Sequence, residues 1–269
     1  MLPPQTLSAD EVAKVADVTA RMAEALCVTG PFNMQLIAKD GELKVIETNL
    51  RASRSCPFSS KVFGVNFIEI ATRAMVGGEK LESVVAPGAS APYVGVKAPM
   101  FSFQRLKGAD PSLGVEMSST GEVACFGPNK HDAFLNAMLS TGMKLPREKI
   151  LVSMQEKLRS EAVPACRKLA DLGYKLYGTE KTARFLQEQG IAVTLLHYAE
   201  SNQQPCIDDY ILNRELELVL MFSNQYSERV LTNYAIRRLT VDYGVPLITN
   251  VQVAQLFAES LEALSWRAN

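Results

Sequence analysis

Residues 32–55 read FNMQLIAKDGELKVIETNLRASRS, and this run decides how the first half of the chain is built. Phe32–Ala38 and Leu43–Asn49 are strand-like and flank Asp40-Gly41, a strong tight-turn signal, so the run predicts a β-hairpin. Along the second strand Glu47, Asn49 and Arg51 recur at every other position, which puts them on one face. Carboxylate and carboxamide oxygens, including that of Gln35, are hard ligands suited to Mg²⁺. The guanidinium groups of Arg51 and Arg54 suit phosphate. The run therefore offers a place for a metal-bound nucleoside triphosphate. The same spacing also describes a polar strand face on which Glu and Arg pair with each other.

Parity sets a condition on the metal reading. A strict two-residue turn pairs Gln35 with Ile46 and turns Glu47 to the opposite face. A three-residue loop, Asp40-Gly41-Glu42, or a β-bulge pairs Gln35 with Glu47. If the two share a metal, the hairpin has one or the other.

Upstream, Ser8 and Glu11 form a capping-box pattern, and Val12, Val15, Val18, Met22 and Leu26 recur at helical spacing, predicting a helix over 9–26. Downstream, Asn66 with Glu69 opens a further helix that ends at Gly77-Gly78. Residues 79–130 suggest loops and short strands, and 131–141 a helix stopped by Gly142. The charged, proline-containing stretch 142–149 reads as a linker.

After it the pattern changes. Short apolar runs at 150–154, 174–177, 191–197, 216–222 and 245–249 alternate with helical stretches at 160–172, 180–189, 226–242 and 251–264. Five such strands separated by helices predict a parallel, doubly wound α/β sheet. In such sheets ligands bind at the carboxyl ends of strands. Gly178-Thr179-Glu180-Lys181-Thr182 leaves the second of these strands and enters a helix, so its N–H groups, hydroxyls and lysine suit a phosphate or carboxylate. Thr179 as a plain helix cap is the other reading.

Composition bounds the function. The 269 residues are 47% hydrophobic and 21% charged, enough for one large or two ordinary globular domains. A net charge of −1 gives no electrostatic footprint for nucleic acid or an anionic membrane, and no apolar run reaches membrane-spanning length. The five cysteines are scattered without a CxxC pair and read as reduced thiols of a cytoplasmic protein; Cys56 and Cys125 read as packing residues. His131 and His197 lack partners at metal-ligand spacing.

Taken together, GPFNMQLIAKDGELKVIETNLRASRSCPFSSKVFGV, MSSTGEVACFG, LYGTEKTA and NYAIRRLTVDYGVPLITN resemble, in order, the C-terminal part of the large subunit of carbamoyl phosphate synthetase. The resemblance covers nearly the whole chain. It implies an α/β chain whose residues 1–145 are the end of the second ATP-grasp (α+β) module with a connecting helical region. Residues 146–269 are then a doubly wound, methylglyoxal-synthase-like allosteric domain. The implied reaction is ATP-dependent phosphorylation of carbamate, derived from bicarbonate, to carbamoyl phosphate. By motif match Gln35, Glu47 and Asn49 hold Mg²⁺ or Mn²⁺ on the ATP phosphates, and Arg51 and Arg54 face the transferred phosphate and carbamate. Thr179, Lys181 and Thr182 form the effector clamp, with Tyr198, Asn224 and Asn233 nearby.

Departures narrow the type. ELVLMFSN (217–224) lacks the Asn-rich loop of the acetylglutamate-activated, ammonia-dependent enzymes, and Tyr198 stands where those carry Trp. Lys181 suits a phosphate. The resemblance thus points to a glutamine-dependent, pyrimidine-pathway enzyme responding to a uridine nucleotide or phosphoribosyl pyrophosphate. The glycine-rich phosphate loop and adenine-binding strand are expected upstream, along with a first synthetase half and a glutaminase. No Cys here sits in a G-x-C-x-G elbow. The 269 residues alone are therefore expected to be inactive. Three other readings are a different ATP-grasp ligase, a non-catalytic effector sensor, and a methylglyoxal synthase. The last would need a general-base Asp beside 178–182, and only Asp208 and Asp209 are candidates.

Overall fold

A computed structural model describes residues 1–77, 91–114, 119–223 and 230–268, with side chains of the last helix through residue 264. It divides into two compact units: Met1–Lys97 with Ala124–Ala133, and Ala98–Val123 with Phe134–Asn269.

In the first unit, α1 (Ala9–Ala25) starts at the expected capping box: the Glu11 amide donates to Ser8 Oγ (3.2 Å) and the Ser8 amide to Glu11 Oε2 (2.8 Å). Val12, Val15, Val18 and Met22 line its apolar stripe but are only half-buried. β1 (Asn33–Lys39) and β2 (Glu42–Asn49) form the antiparallel hairpin. α2 (Ser55–Phe63) has no counterpart in the sequence reading. Its Ser- and Pro-containing start looks like a loop, yet Pro57 falls in the first turn, where a missing N–H costs nothing. Gly64, with φ +65°, ends it.

Phe58 and Val62 of α2 bury against β3 (Val94–Met100). A Cβ on Gly95 would lie 2.6 Å from Val62 Cγ2, so only glycine permits this approach. α3 (Phe67–Gly77) is capped by Asn66, whose Oδ1 accepts the Glu69 amide at 3.2 Å; Gly78 lies outside the described residues. β3 pairs with β4 (Gly121–Gly127), and α4 (Lys130–Ser140) follows. Gly142, at φ +90°, lies just beyond its end.

The second unit carries a five-stranded, all-parallel sheet in the order β7-β6-β5-β8-β9. The strands are β5 (Lys149–Met154), β6 (Lys175–Gly178), β7 (Val193–Leu195), β8 (Leu218–Phe222) and β9 (Leu247–Ile248). The helices are α5 (Arg159–Asp171), α6 (Glu180–Glu188), α7 (Ile207–Leu212), α8 (Val230–Asp242) and α9 (Val251–Ala268). α5 packs on α6 and α9, and α7 on α8. The doubly wound α/β expectation therefore holds, with strands buried on both faces: every residue of β8 and Ile150–Met154 of β5 is buried.

Three details differ from the sequence reading. β7 stops at Leu195 because His197 leaves β6 and bridges Cys206, through His197 N–H to Pro205 O (2.8 Å) and Ile207 N–H to His197 O (2.9 Å). α7 replaces an expected polar stretch and buries Ile207 and Ile211, one turn apart. β9 is only two residues long. The expected start of α8 at 226 lies outside the described residues.

Candidate functional site

The hairpin meets the parity condition in a particular way. Lys39 pairs with Glu42, so the turn is the two-residue Asp40-Gly41, both at positive φ (+52° and +77°) as this tight reversal requires. A bulge then absorbs one residue. Leu36 pairs with Val45 and Gln35 with Glu47, leaving Ile46 as the extra residue. Gln35 and Glu47 are thus direct cross-strand neighbours on one face, and Asn33 and Asn49 pair two positions along on the same face.

The polar groups on this face have complementary chemistry. Asn49 Nδ2 donates to Glu47 Oε1 (3.0 Å), which leaves Asn49 Oδ1 as an acceptor. The face therefore offers carboxylate and carboxamide oxygens, a donor set that fits a hard divalent cation. Gln35 and Glu47 are exposed. Arg51 follows through a tight turn (Arg51 N–H to Asn49 O, 2.9 Å), and its Nη1 donates to Ala52 O (3.2 Å). Arg54 lies just before α2 and is exposed. Next to this turn is a cavity of about 490 Å³ between Thr29–Asn33, the Ala52–Cys56 segment and α3. Among the described residues no group of three or more His, Cys, Asp or Glu could hold a metal ion.

The other expected cluster sits at the carboxyl edge of the parallel sheet. Strand order reverses between β5 and β8, which makes that edge the switch point where such sheets bind ligands. Thr179 occupies the N-cap position of α6, but its hydroxyl accepts no hydrogen bond from a backbone N–H of the helix's first turn. The plain capping reading is thereby corrected. Its hydroxyl lies 3.5 Å from Ser153 Oγ and donates to Thr182 Oγ1 (3.1 Å). Thr182 Oγ1 in turn accepts the Met154 N–H (3.1 Å), so this buried hydroxyl ties α6 to the end of β5. Lys181, one residue into the first turn, is exposed.

Tyr198 is half-buried against the core, at the start of a single 3₁₀ turn, Ala199–Ser201. Glu200 in that turn accepts from Thr232 Oγ1 (2.6 Å), which brings it against the first turn of α8. Asn233 is buried one residue further along α8. Asn224 lies outside the described residues. Asp208 is half-buried, and burial first, then Asp209 and Glu200, raise its carboxyl above the ordinary range.

Sequence reasoning did not single out Ser153 or Ser223. A lone hydroxyl at the carboxyl end of an otherwise apolar strand was the available signal in both ILVSM and LVLMFS. Nor did it assign a role to Arg237 and Arg238, two buried arginines of α8.

Comparison with known proteins matches both segments of the chain to family models. Residues 1–84 match the family model described as carbamoyl-phosphate synthase L chain, ATP binding domain, and residues 161–249 match the MGS-like domain. The chain is 46% identical over 274 residues to multifunctional protein URA2 of Saccharomyces cerevisiae and, over the same length, to multifunctional protein pyrABCN of Emericella nidulans. It is 44% identical over 270 residues to the mitochondrial carbamoyl-phosphate synthase [ammonia] of Homo sapiens. Each alignment covers 97% of this chain, which spans 12% of the two fungal proteins and 18% of the human one. A methylglyoxal synthase from Elizabethkingia anophelis shares 18% identity, a TM-score of 0.35, 42% of this chain and 77% of its own. With its ATP-binding-domain segment and its MGS-like segment in series, the chain belongs to the carbamoyl-phosphate synthase large-chain family.

Proposed function

We propose that this chain supplies one wall of the ATP site that phosphorylates carbamate, together with the effector domain that regulates it. The observation that carries the first half is the register of Gln35 on Glu47, with Asn49 hydrogen-bonded beside them. Their oxygens would hold Mg²⁺ or Mn²⁺ on the phosphates of ATP, and that ion supplies charge neutralisation during transfer. Asn49 orients the Glu47 carboxylate through its amide. Arg51 and Arg54 follow on the same segment and would orient the transferred phosphate and carbamate. The remaining parts are expected from upstream synthetase and glutaminase domains, and the 269 residues alone are expected not to turn over.

In this proposal residues 1–145 belong to the ATP-grasp module and 146–269 to the effector domain. Thr179, Lys181, Tyr198, Asn224 and Asn233 receive an anionic effector, with Thr182 positioning Thr179 from beneath. We infer a uridine nucleotide or phosphoribosyl pyrophosphate as effector, in a cytosolic, glutamine-dependent enzyme of pyrimidine synthesis. Lys181 in the first turn of α6 and the similarity to the multifunctional proteins URA2 and pyrABCN support this. Among the described residues no helix is long and apolar enough to cross a membrane.

The test is Glu47→Gln in the complete synthetase. Loss of one preorganised charge contact at a phosphoryl-transfer centre predicts a fall of about 10²–10³ in carbamoyl phosphate synthesis. Unchanged synthesis with unchanged metal dependence overturns the metal assignment. For the effector, the full chain is titrated with UTP, UDP, phosphoribosyl pyrophosphate and acetylglutamate. Binding of acetylglutamate alone overturns the pyrimidine reading.

A further inference from the structure

The segment Phe101–Gly114 is strapped along one stripe of α8. The Tyr234 hydroxyl donates to Gly108 O (2.8 Å), and Gln104 Nε2 to Val241 O (3.2 Å). Arg238 donates to the carbonyls of Phe103 (2.9 Å), Leu106 (3.2 Å) and Ala109 (2.9 Å), and pairs with Asp242 (2.7 Å). The helix positions involved, 234, 237, 238 and 241, are spaced i, i+3, i+4 and i+7, so they form a single face.

Arg237 does more than hold the strap. Its Nε and Nη2 grip Asp110 in a bidentate fork (2.7 and 2.5 Å), while Nη1 donates to Ser223 Oγ (2.8 Å). Arg237 is nearly fully buried, at 2% exposure. Such a group is stable only when its charge and donors are met, and here one end is met by the strap and the other by the sheet. Ser223 directly follows β8. The carbonyl of Phe222, one residue before it, accepts the Gln155 N–H (3.0 Å) across the β5–β8 switch point. Asn233 sits one helical turn before Arg237.

We propose that Arg237 is a positioning residue of the anion site: it fixes the carboxyl end of β8 to the 101–114 strap, so strap attachment and anion affinity form one linked equilibrium. The linkage half rests on the effector reading above; the bridge itself does not. Reciprocity then applies. If strap release weakens anion binding by some factor, anion binding tightens the strap by the same factor. The regulatory signal would leave the effector domain through Asp110.

The experiment uses the full chain as wild type, Asp110→Asn and Ser223→Ala. Hydrogen exchange is read at the Leu106 and Ala109 amides and at Gln155, and UTP affinity by calorimetry. Asp110→Asn speeds exchange at all three amides by about tenfold or more, the scale of losing a charge-assisted bond. Ser223→Ala removes the one guanidinium bond to the strand end and leaves the Asp110 fork intact; it speeds Gln155 alone and leaves the strap attached. Both variants weaken UTP about tenfold, and UTP slows strap exchange in the wild type but not in Ser223→Ala.

The linkage is overturned if Asp110→Asn frees the strap while UTP affinity stays within about twofold, or if affinity rises. Should the wild type bind no UTP, the effector reading falls. The bridge is then decided without ligand: unchanged Gln155 exchange in both variants overturns it, and the tenfold rise supports it.

Discussion

Gln35 stands directly opposite Glu47 although only two residues turn the chain between their strands. Ile46 makes this geometry work, because the bulge it forms takes up the residue that would otherwise shift Glu47 out of register. The consequence is an asymmetry between deletion and insertion. Deleting Ile46 gives a regular ladder in which Gln35 still faces Glu47. Inserting an alanine after Ile46 pairs Gln35 with the insert and turns Glu47 toward the Met34–Thr48 face. Carbamoyl phosphate synthesis by the complete synthetase is expected to stay within about tenfold on deletion and to fall about 10²–10³ on insertion. Equal effects of the two changes would detach the site from the hairpin register.

The sequence stated this condition but not which solution the chain uses. Asp40-Gly41 signalled the turn, and the parity argument followed from the two-residue period of a strand. The bulge was not legible because nothing in KVIET marks Ile46 as the residue left unpaired. The parallel sheet was the clearest part, since ILVSM and LVLMF are apolar runs too short for helices and buried on both faces. α2 and α7 were hidden for opposite reasons. Pro57 and its serines resemble a loop, while α7 is a six-residue helix soon after Pro205 that buries only Ile207 and Ile211. The Thr179 hydroxyl illustrates the last limit: sequence gave its cap position, but only packing shows that it turns toward Ser153 and Thr182.

Gly178 should resist enlargement. A Cβ there would lie 3.0 Å from Val193 Cγ1 and 3.1 Å from both Cα and N of Ala183. Two of those three atoms are backbone at the start of α6 and cannot swing away. Gly178→Ala is expected to destabilise the chain by roughly 1–3 kcal/mol, the range for overpacking a tight contact. Denaturant unfolding checks this, and an unchanged midpoint would show that α6 can shift freely.

Glu217 links stability to acid. Its Oε2 accepts the amides of Arg147 (2.7 Å), Glu148 (2.6 Å) and Lys149 (3.1 Å), fastening the segment before β5 to the start of β8. Partial burial pushes the carboxyl upward, but the three N–H groups outweigh it, and the group is held below its ordinary value. A depressed folded value means the stabilisation is complete above the unfolded pKa, about 4.3, and is lost as pH falls through the lower folded value. Glu217→Ala should cost about 1–2 kcal/mol at neutral pH after allowance for solvent screening, and should flatten the acid limb of the stability profile. A parallel acid limb in the variant would assign that limb to other groups.

The thiols should separate by burial. Cys166 is fully buried in α5, where loss of hydration pushes its thiol up to about 12. Only the thiolate attacks a disulfide reagent, so at pH 8 Cys166 is protected twice, by access and by protonation. Cys27, by contrast, is exposed just after α1. Ellman's reagent on the native chain at pH 8 should modify Cys27 within minutes and leave Cys166 unmodified until denaturant is added. Raising the pH to 9 should change the Cys166 rate little, because opening of the fold and not ionisation limits it. Rapid native labelling of Cys166, identified by peptide mapping, would mean that α5 separates from the sheet far more readily than its buried Ala162, Ala165 and Leu169 imply.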